Sequence, residues 1–599
     1  MTEAIAARSR WHPSRLLYWY ARCVVWLRWW VVAFWAVAVG AAIWFLPAIG
    51  PGGNDLDHMV SANNPAVQSE IRSFERFGFP LLSRVAVVQR SPEGLPAPVQ
   101  AEAVTRARAV NEGVYPDVKP VVAAVPVLNT LKLVPGSRED GTTIITMLFT
   151  EPEASLADQV AAAKGFVANH YDHDEAVVGV TGSVPAQVEQ GRIVLSSVPW
   201  LELATVAAVF LIVAIAFRSL AAPLLSLGVA GVAIVLTLHV GGYVAGRLGV
   251  AVPQETQPLL VALVLGVVTD YVVFYLSAVR GQLAAGASRL VAARRATARF
   301  TPIIATAGAT AAAGTGALIV AGSPAFRAFG PGMALAVLVG MLVAVTLVPA
   351  LLAILGAAAL WMPRRREAPQ RVAESTAASS GRWARLLTRP VASVAVLGVC
   401  VGGLVAATLP LRHLQLGVSF VEALPADHPA RQAADQAEAG FADGILAPTE
   451  LLLQGSGVAQ RQAELDRLQA ELAKVSGVAA VVGPGNDAIP AEVRLFQAPD
   501  GSAVRYLLVL DDRPLGARAI HTLSGLEREL PAMLRQSGLG GVGVSLGGDT
   551  AVAKAVVDQT THDLGRIAAA ALLANLLFLM LFLRAVVVPL GLLACSVLA

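Results

Sequence analysis

Apolar stretches long enough to cross a bilayer recur along this 599-residue sequence, and they restrict its fold more than any other feature. They fall near residues 25–49, 198–217, 220–245, 258–279, 302–322, 328–356, 390–410 and 565–583, and a further one begins at Val586 and runs to the C-terminus. About 20 consecutive apolar residues span the hydrocarbon core as a helix. Lipid offers no hydrogen bonds, so each stretch must satisfy its own backbone and reads as an α-helix. Charged residues make up only 15% of the chain, against about 25% in soluble proteins. The chain is expected to be polytopic. The first stretch, apolar from Val31 to Pro47, is too long for a signal-peptide core and lacks a convincing cleavage pattern after it.

Arginine placement sets the orientation. Arg8, Arg10, Arg15, Arg22 and Arg28 precede or open the first span. Arg280, Arg289, Arg294, Arg295 and Arg299 lie between the fourth and fifth. Arg364, Arg365, Arg366, Arg371, Arg382, Arg385 and Arg389 follow the sixth, against Glu367 and Glu374 alone. An even number of crossings separates these clusters, so all three fall on one side, expected to be the cytoplasm. That puts the protein in the cytoplasmic (inner) membrane with its N-terminus inside. Anionic headgroups, rather than nucleic acid, are the expected partners of these arginines. Lys is limited to Lys119, Lys132, Lys164, Lys474 and Lys554; with the Ala, Gly and Val excess, this is an actinobacterial-like, GC-rich composition.

Two long polar segments then face outward. The expected division is a cytoplasmic N-terminus (1–24), a first span (25–49), an outward domain (50–196), and spans two to six (197–356). An Arg-rich linker (357–389), a seventh span (390–410), a second outward domain (411–563), and an eighth span with the start of a ninth (564–599) complete it. In the first outward domain, strand patterns at 84–89, 118–127, 142–150 and 176–181 alternate with helix patterns at 97–112 and 155–170. In the second, strands at 449–454, 478–482, 503–511 and 542–546 alternate with helices at 458–474 and 517–535. Each is the β-α-β-β-α-β order of a split, ferredoxin-like α+β domain.

The arrangement repeats. Phe217-Arg-Ser-Leu-Ala-Ala-Pro-Leu224 aligns with Leu583-Arg-Ala-Val-Val-Val-Pro-Leu590 at the inner ends of two spans. Such duplication points to a transporter built from two parallel halves. In this register the counterpart of Asp270 would lie some tens of residues beyond Ala599, so the second half is expected to be incomplete.

Asp270 lies near the centre of the fourth span, where a charge costs about 2.5–3.5 kcal/mol on insertion scales and is usually functional. Gly266, Asp270, Phe274 and Ser277 share one helical face, with Tyr271 beside it. Gly266 and Ser277 are small enough for a neighbouring helix to approach closely, and Phe274 belongs to the same packing surface. Thr306, Thr310 and Thr315 on the Gly/Ala-rich fifth span offer hydroxyls that would hold water near a carboxylate. Burial disfavours a carboxylate's charged form, which suits proton loading and release. The competing role for Asp270 is a structural hydrogen bond to a helix hydroxyl; for Tyr271 and the threonines it is ordinary helix packing. His239 reads as interfacial and Glu255 as solvated.

The sequence has no G-x-x-x-x-G-K-[ST], G-x-S-x-G or H-E-x-x-H, so ATPase and hydrolase chemistry is not expected. Cys23, Cys400 and Cys595 are scattered through apolar runs and form neither a metal site nor a disulfide framework. Neither a cofactor nor a metal is expected.

Gly266-Val-Val-Thr-Asp-Tyr-Val-Val-Phe274 resembles the fourth-span motif of the MmpL family within the RND superfamily of exporters. Ser323-Pro-Ala-Phe-Arg-Ala-Phe-Gly-Pro331 and the Gly340…Pro349-Ala-Leu-Leu run resemble that family's fifth-to-sixth connection and sixth span. The short outward domains and lone Asp fit this branch better than the multidrug branch. The resemblance implies two outward porter domains and proton-driven export of lipids or other hydrophobic or amphiphilic molecules. It implies a proton relay in which Asp270 and Tyr271 supply one pair and the tenth span another; that second pair is not in this sequence. Substrate would enter a space between the outward domains and the outer leaflet, with apolar lining. Protons, membrane lipids and a lipid-like substrate are the implied partners, and an oligomer is compatible with the sequence. Two alternatives remain open: a non-transporting lipid sensor or scaffold, and a SecDF-like helper of protein translocation.

Overall fold

The computed structural model describes residues 15–49, 64–132, 134–151, 154–172, 175–248, 256–360, 390–409, 416–485 and 495–598. Arg8 and Arg10, the seven arginines of the linker after the sixth span, and Glu255 lie outside the described residues. The chain begins with α1 (Arg15–Trp26), α2 (Arg28–Phe45), α3 (Pro65–Phe77), β1 (Val85–Arg90), α4 (Ala97–Asn111), β2 (Val121–Leu128), β3 (Thr143–Thr150), α5 (Leu156–His170) and β4 (Val177–Thr181). Long helices follow: α6 (Ser183–Phe217), α7 (Ala221–Leu248), α8 (Thr256–Ala284), α9 (Arg289–Gly316), α10 (Pro324–Leu355) and the shorter α11 (Pro390–Thr408). Then come α12 (Pro429–Gly440), β5 (Thr449–Gln454), α13 (Gln462–Leu472), β6 (Val478–Val482), β7 (Ala503–Leu510), α14 (Ala517–Ser537), β8 (Gly543–Gly547), α15 (Asp549–Leu583) and α16 (Val587–Leu598).

Contacts divide the chain into a helical unit, Met1–Gly53 with Val198–Leu414 and Asp563–Ala599, and an α+β unit, Asn54–Ser197 with Gln415–His562. In the helical unit, α2, α6, α7, α8, α9, α10 and α15 are long and apolar enough to cross a membrane, and α11 and α16 are shorter apolar helices. The core lies among α7, α8 and α10, where Ala230, Ala233, Val264, Val268, Val272, Val343, Ala344 and Val348 are buried. Lipid tails are as apolar as these side chains, so close packing of small residues holds such helices together. At Gly340 an added Cβ would stand 2.8 Å from Val268 Cγ2, and at Gly308 it would stand 2.6 Å from Met341 Sδ. These two glycines bring α10 against α8 and α9.

Two helices reach beyond the apolar stretches read in the sequence. Residues 15–26 form α1, an amphipathic helix that buries Val25 against Ala293 and Ala353, while Leu16, Trp19 and Trp26 stay exposed. The helix that carries the second apolar stretch extends beyond it: α6 is continuous from Ser183 and accommodates Pro199 inside. Both aligned arginines, Arg218 and Arg584, take left-handed φ values of 51° and 49° and break the chain between one long helix and the next. Other arginines cap helix ends. Arg280 donates to Ala216 O on α6 (3.1 Å) and Arg289 to Ile354 O on α10 (3.3 Å), where the helix dipole favours a cation.

The α+β unit holds two four-stranded antiparallel sheets of identical connectivity, β2-β3-β1-β4 and β6-β7-β5-β8. Strand residues alternate between faces, yet here both faces are apolar. In the first sheet, Val85, Val87, Ala124 and Leu148 pack on Ala107, Val110, Val160, Ala163 and Phe166 of its own helices α4 and α5. The opposite face, with Ala86, Val88, Ile145, Met147 and Phe149, meets Ala480 and Val509 of the second sheet and Ala433, Ala437 and Phe441 of α12. Each module thus needs the other to bury its second face, and the amphipathic helices before each sheet cross over. Thr181 Oγ1 on β4 donates to Ala430 O of α12 (2.7 Å), while Ser69 Oγ on α3 bonds Ser545 Oγ on β8 (2.8 Å).

Candidate functional site

Helix α8 presents two faces. Leu260, Val264, Val268, Val272, Tyr275, Leu276 and Val279 are buried against the bundle. Gly266, Asp270, Phe274 and Ser277 are exposed, so the stripe expected from helical spacing exists as an open face of the unit. Among the described residues Asp270 has no hydrogen-bond partner. Tyr271 is buried beside it. A Cβ built on Gly266 meets nothing within 4 Å, and Ser277 is exposed, so among the described residues no helix packs closely on these two. Phe274 stacks on Phe300 of α9 with ring centroids 6.2 Å apart.

The fifth-span threonines all donate within their own helix. Thr306 Oγ1 donates to Pro302 O (2.8 Å), Thr310 to Thr306 O (2.6 Å) and Thr315 to Ala311 O (3.0 Å), all within α9 itself. Hydroxyls in an apolar helix commonly bond the carbonyl one turn back. A residue pair the sequence reading passed over also links α9 to α8: the buried hydroxyls of Tyr275 and Thr301 lie 2.8 Å apart. His239 Nδ1 lies 2.8 Å from Val235 O on its own helix. A second omission is Asp563 on α15. It is fully buried, and its carboxylate accepts from Gly322 N and Ser323 N, both at 2.7 Å. A lone Asp at the start of the apolar 565–583 run was the available signal.

The α+β unit contains a cavity of about 560 Å³ between its two sheets, within the 300–1,000 Å³ range of ligand sites. Val125, Val127, Met147 and Phe149 line it from one sheet and Val482, Leu507 and Val509 from the other. Phe79 and Phe496 also line it. Its polar wall groups are satisfied by the wall: Ser83 donates to Val85 O and Leu148 O, and Thr130 donates to Gln100, which donates to Leu95 O. Among the described residues no charged side chain lines it. The signal in sequence was the doubled apolar pattern of β2 and β3, which leaves no polar strand face.

A buried polar cluster braces the cavity wall. Arg505 on β7 donates to Leu495 O (2.6 Å), Phe79 O (3.0 Å) and Ser73 Oγ (3.1 Å), and Ser73 in turn donates to Glu450. Arg505 and Glu450 are 3.9 Å apart. Burial outweighs their mutual attraction: it pushes Glu450 up to about 7 and Arg505 down to about 10. Burial likewise raises Glu438 to about 7, opposed by Arg513 at 2.6 Å.

Comparison with known proteins places this architecture. A family model described as the MMPL family matches residues 71–396 and 422–599. A membrane protein of Streptomyces coelicolor is 25% identical over 87% of this chain and 60% of its own length. The apo-petrobactin exporter of Bacillus anthracis is 24% identical over 77% of this chain and 63% of its own. The chain therefore spans about three-fifths of the length of these relatives. Among solved structures, the hedgehog release protein Disp from the water bear Hypsibius dujardini aligns with a TM-score of 0.48 at 12% identity, covering 95% of this chain and 83% of that one. With the family model matching most of its length, this multi-pass membrane protein belongs to the MMPL family.

Proposed function

We propose that the protein is a proton-driven transporter that exports lipids or other hydrophobic or amphiphilic molecules across or out of the cytoplasmic membrane. The observation that carries this reading is Asp270, a carboxylate without a hydrogen-bond partner among the described residues, in the middle of an apolar helix. A charge there is costly unless it binds and releases a proton or cation. Tyr271 is the adjacent relay group. Thr306, Thr310 and Thr315 already donate within α9, so they retain only acceptor capacity toward a relay water. The apolar cavity in the α+β unit supports a hydrophobic cargo, since its described lining is almost entirely aliphatic and aromatic. A relative that carries the name of an exporter supports outward movement. With the N-terminus inside, the two α+β modules act as outward-facing porter domains of a two-fold RND-type repeat.

One charge crossing about 100 mV yields roughly 2.3 kcal/mol, enough for one or two protons to bias an equilibrium between two arrangements of the modules. The test is Asp270→Asn in vesicles of known orientation, with a fluorescent lipid analogue as cargo and an imposed pH gradient. Export is expected to stop while insertion and expression are unchanged. Normal gradient-dependent export by that variant would remove the proton-carrier role, and cargo movement inward only would reverse the direction.

A further inference from the structure

Among the described residues of the helical unit Asp563 is a fully buried charge, and the proton site just described does not include it. Among the described residues of α15 from Lys554 to Leu583, it alone is buried; the rest of that stretch is partly or fully exposed. Its two oxygens take the backbone amides of Gly322 and Ser323. Ser323 is the N-cap of α10 and Gly322 precedes it, at a helix end whose first amides have no intrahelical acceptor. Ser323 makes no side-chain cap of its own. A carboxylate is well suited to this position, because the helix dipole and charge-assisted bonds both favour it. The cap is supplied by another helix, so it ties α15 to α10 as well as closing a helix end.

The tie leads to the proton site. Helix α10 meets α8 where Gly340 packs on Val268, two residues from Asp270. A shift of α8 therefore presses on α10 through a contact with no spare room. At its other end α15 begins with Asp549, which receives Arg84 Nε at 2.6 Å within the α+β unit. The same helix thus has one anchored carboxylate in each unit. The tie is not a by-product of the internal repeat. Counting back equally from Arg584 and Arg218 puts Ser197 at the place of Asp563, and Ser197 is exposed and bonds only Val194 O on its own helix.

We propose that Asp563 is a positioning residue of the transport cycle, the tie through which movement of α8 and α10 on protonation of Asp270 is handed to α15. This rests on the proton-coupled reading above. The coupling is discrete, since two amides and two oxygens either remain bonded or separate, which is what a two-state element requires.

The experiment uses the protein in proteoliposomes, with Cys23, Cys400 and Cys595 replaced by Ala and spin labels placed at the exposed Leu342 on α10 and Leu573 on α15. Asp270→Asn serves as a fixed mimic of the protonated carboxyl. In the Asp563 parent it is expected to shift the label distance; in Asp563→Ala the shift is expected to vanish. Export of the lipid analogue by Asp563→Ala is expected to fall roughly tenfold, within the usual size of coupling between sites, while Asp270-dependent proton uptake, followed with a pH dye, persists. A merely structural cap would lose export and proton uptake together, and that result overturns the proposal. So does a label shift that persists without Asp563, absence of a shift in the parent, or unchanged export. If Asp563→Ala fails to fold, Asp563→Asn keeps one accepting oxygen and must show the same separation of export from proton uptake. Normal export by Asp270→Asn alone would fail the proton-coupled reading; an inactive Asp270→Asn beside a fully active Asp563→Ala would fail the tie alone.

Discussion

Glu450 gives the α+β unit a pH dependence whose sign follows from its surroundings. It lies on β5, on the sheet face that continues into the cavity, and is almost fully buried under α3. Burial raises its pKa from 4.5 to about 7 against the opposing pull of Ser73 and Arg505. The folded state holds this proton more tightly than the unfolded chain does. Its stabilising contribution is therefore complete below about pH 4.5 and is lost as the pH rises to about 7. At 1.36 kcal/mol per pKa unit the difference is about 3 kcal/mol. Replacing Glu450 by Gln removes the titration but keeps an oxygen to accept from Ser73. Hydrogen exchange of α3 and β5 peptides, corrected for intrinsic rates and followed from pH 4.5 to 8, reads the local opening free energy. The wild-type curve is expected to fall by about 3 kcal/mol relative to Glu450→Gln across this window. Glu438 titrates with the same sign in both proteins and cancels in the difference. Parallel curves would refute the assignment.

Four further outcomes test the packing and the cavity. Arg505→Met leaves Glu450 buried without its cation and is expected to destabilise the α+β unit by about 3–5 kcal/mol in chemical denaturation at pH 8. Gly340→Ala drives a Cβ against Val268 and should cost about 1–3 kcal/mol; Gly266→Ala meets empty space and should gain about 0.5–1 kcal/mol of helix propensity, both read as thermal midpoints in detergent. Val125→Asp puts a carboxylate on the cavity wall, and affinity for a fluorescent fatty acyl probe should drop about tenfold or more with the fold intact by circular dichroism, a desolvation cost of a few kcal/mol.

The α+β modules were legible because alternation and helical period agree with turn chemistry along them. The β5 and β6 patterns match their strands end to end, and Ser155, read as the start of a helix, caps α5 by accepting from Asp158 N. The crossing helices α3 and α12 were not read, although Asn64-Pro65 and His428-Pro429 carry cap-and-proline signals. Their partners lie hundreds of residues away on β8 and β4, and local pattern carries no information about which sheet an amphipathic helix will cover. The face bearing Asp270 was likewise visible in helical spacing, but its neighbours were not. Spacing gives the phase of α8 and leaves open which helix approaches it. The small residues of α9 could have served either side, and the structure places Gly308 against Met341 of α10. Asp563 is visible in sequence as a lone Asp at the start of an apolar run, but local pattern does not say which distant helix end a carboxylate will cap.

The central claim is that Asp270 carries the proton that drives export. Its most direct test is proton movement itself, measured with a pH dye inside proteoliposomes during lipid-analogue transport. The wild-type protein should acidify or alkalinise the lumen in step with cargo. Asp270→Asn should move neither proton nor cargo, and Asp270→Glu, which restores a carboxylate on the same face of α8, should recover part of both. Cargo transport by Asp270→Asn at the wild-type rate, with or without a proton gradient, would contradict the account.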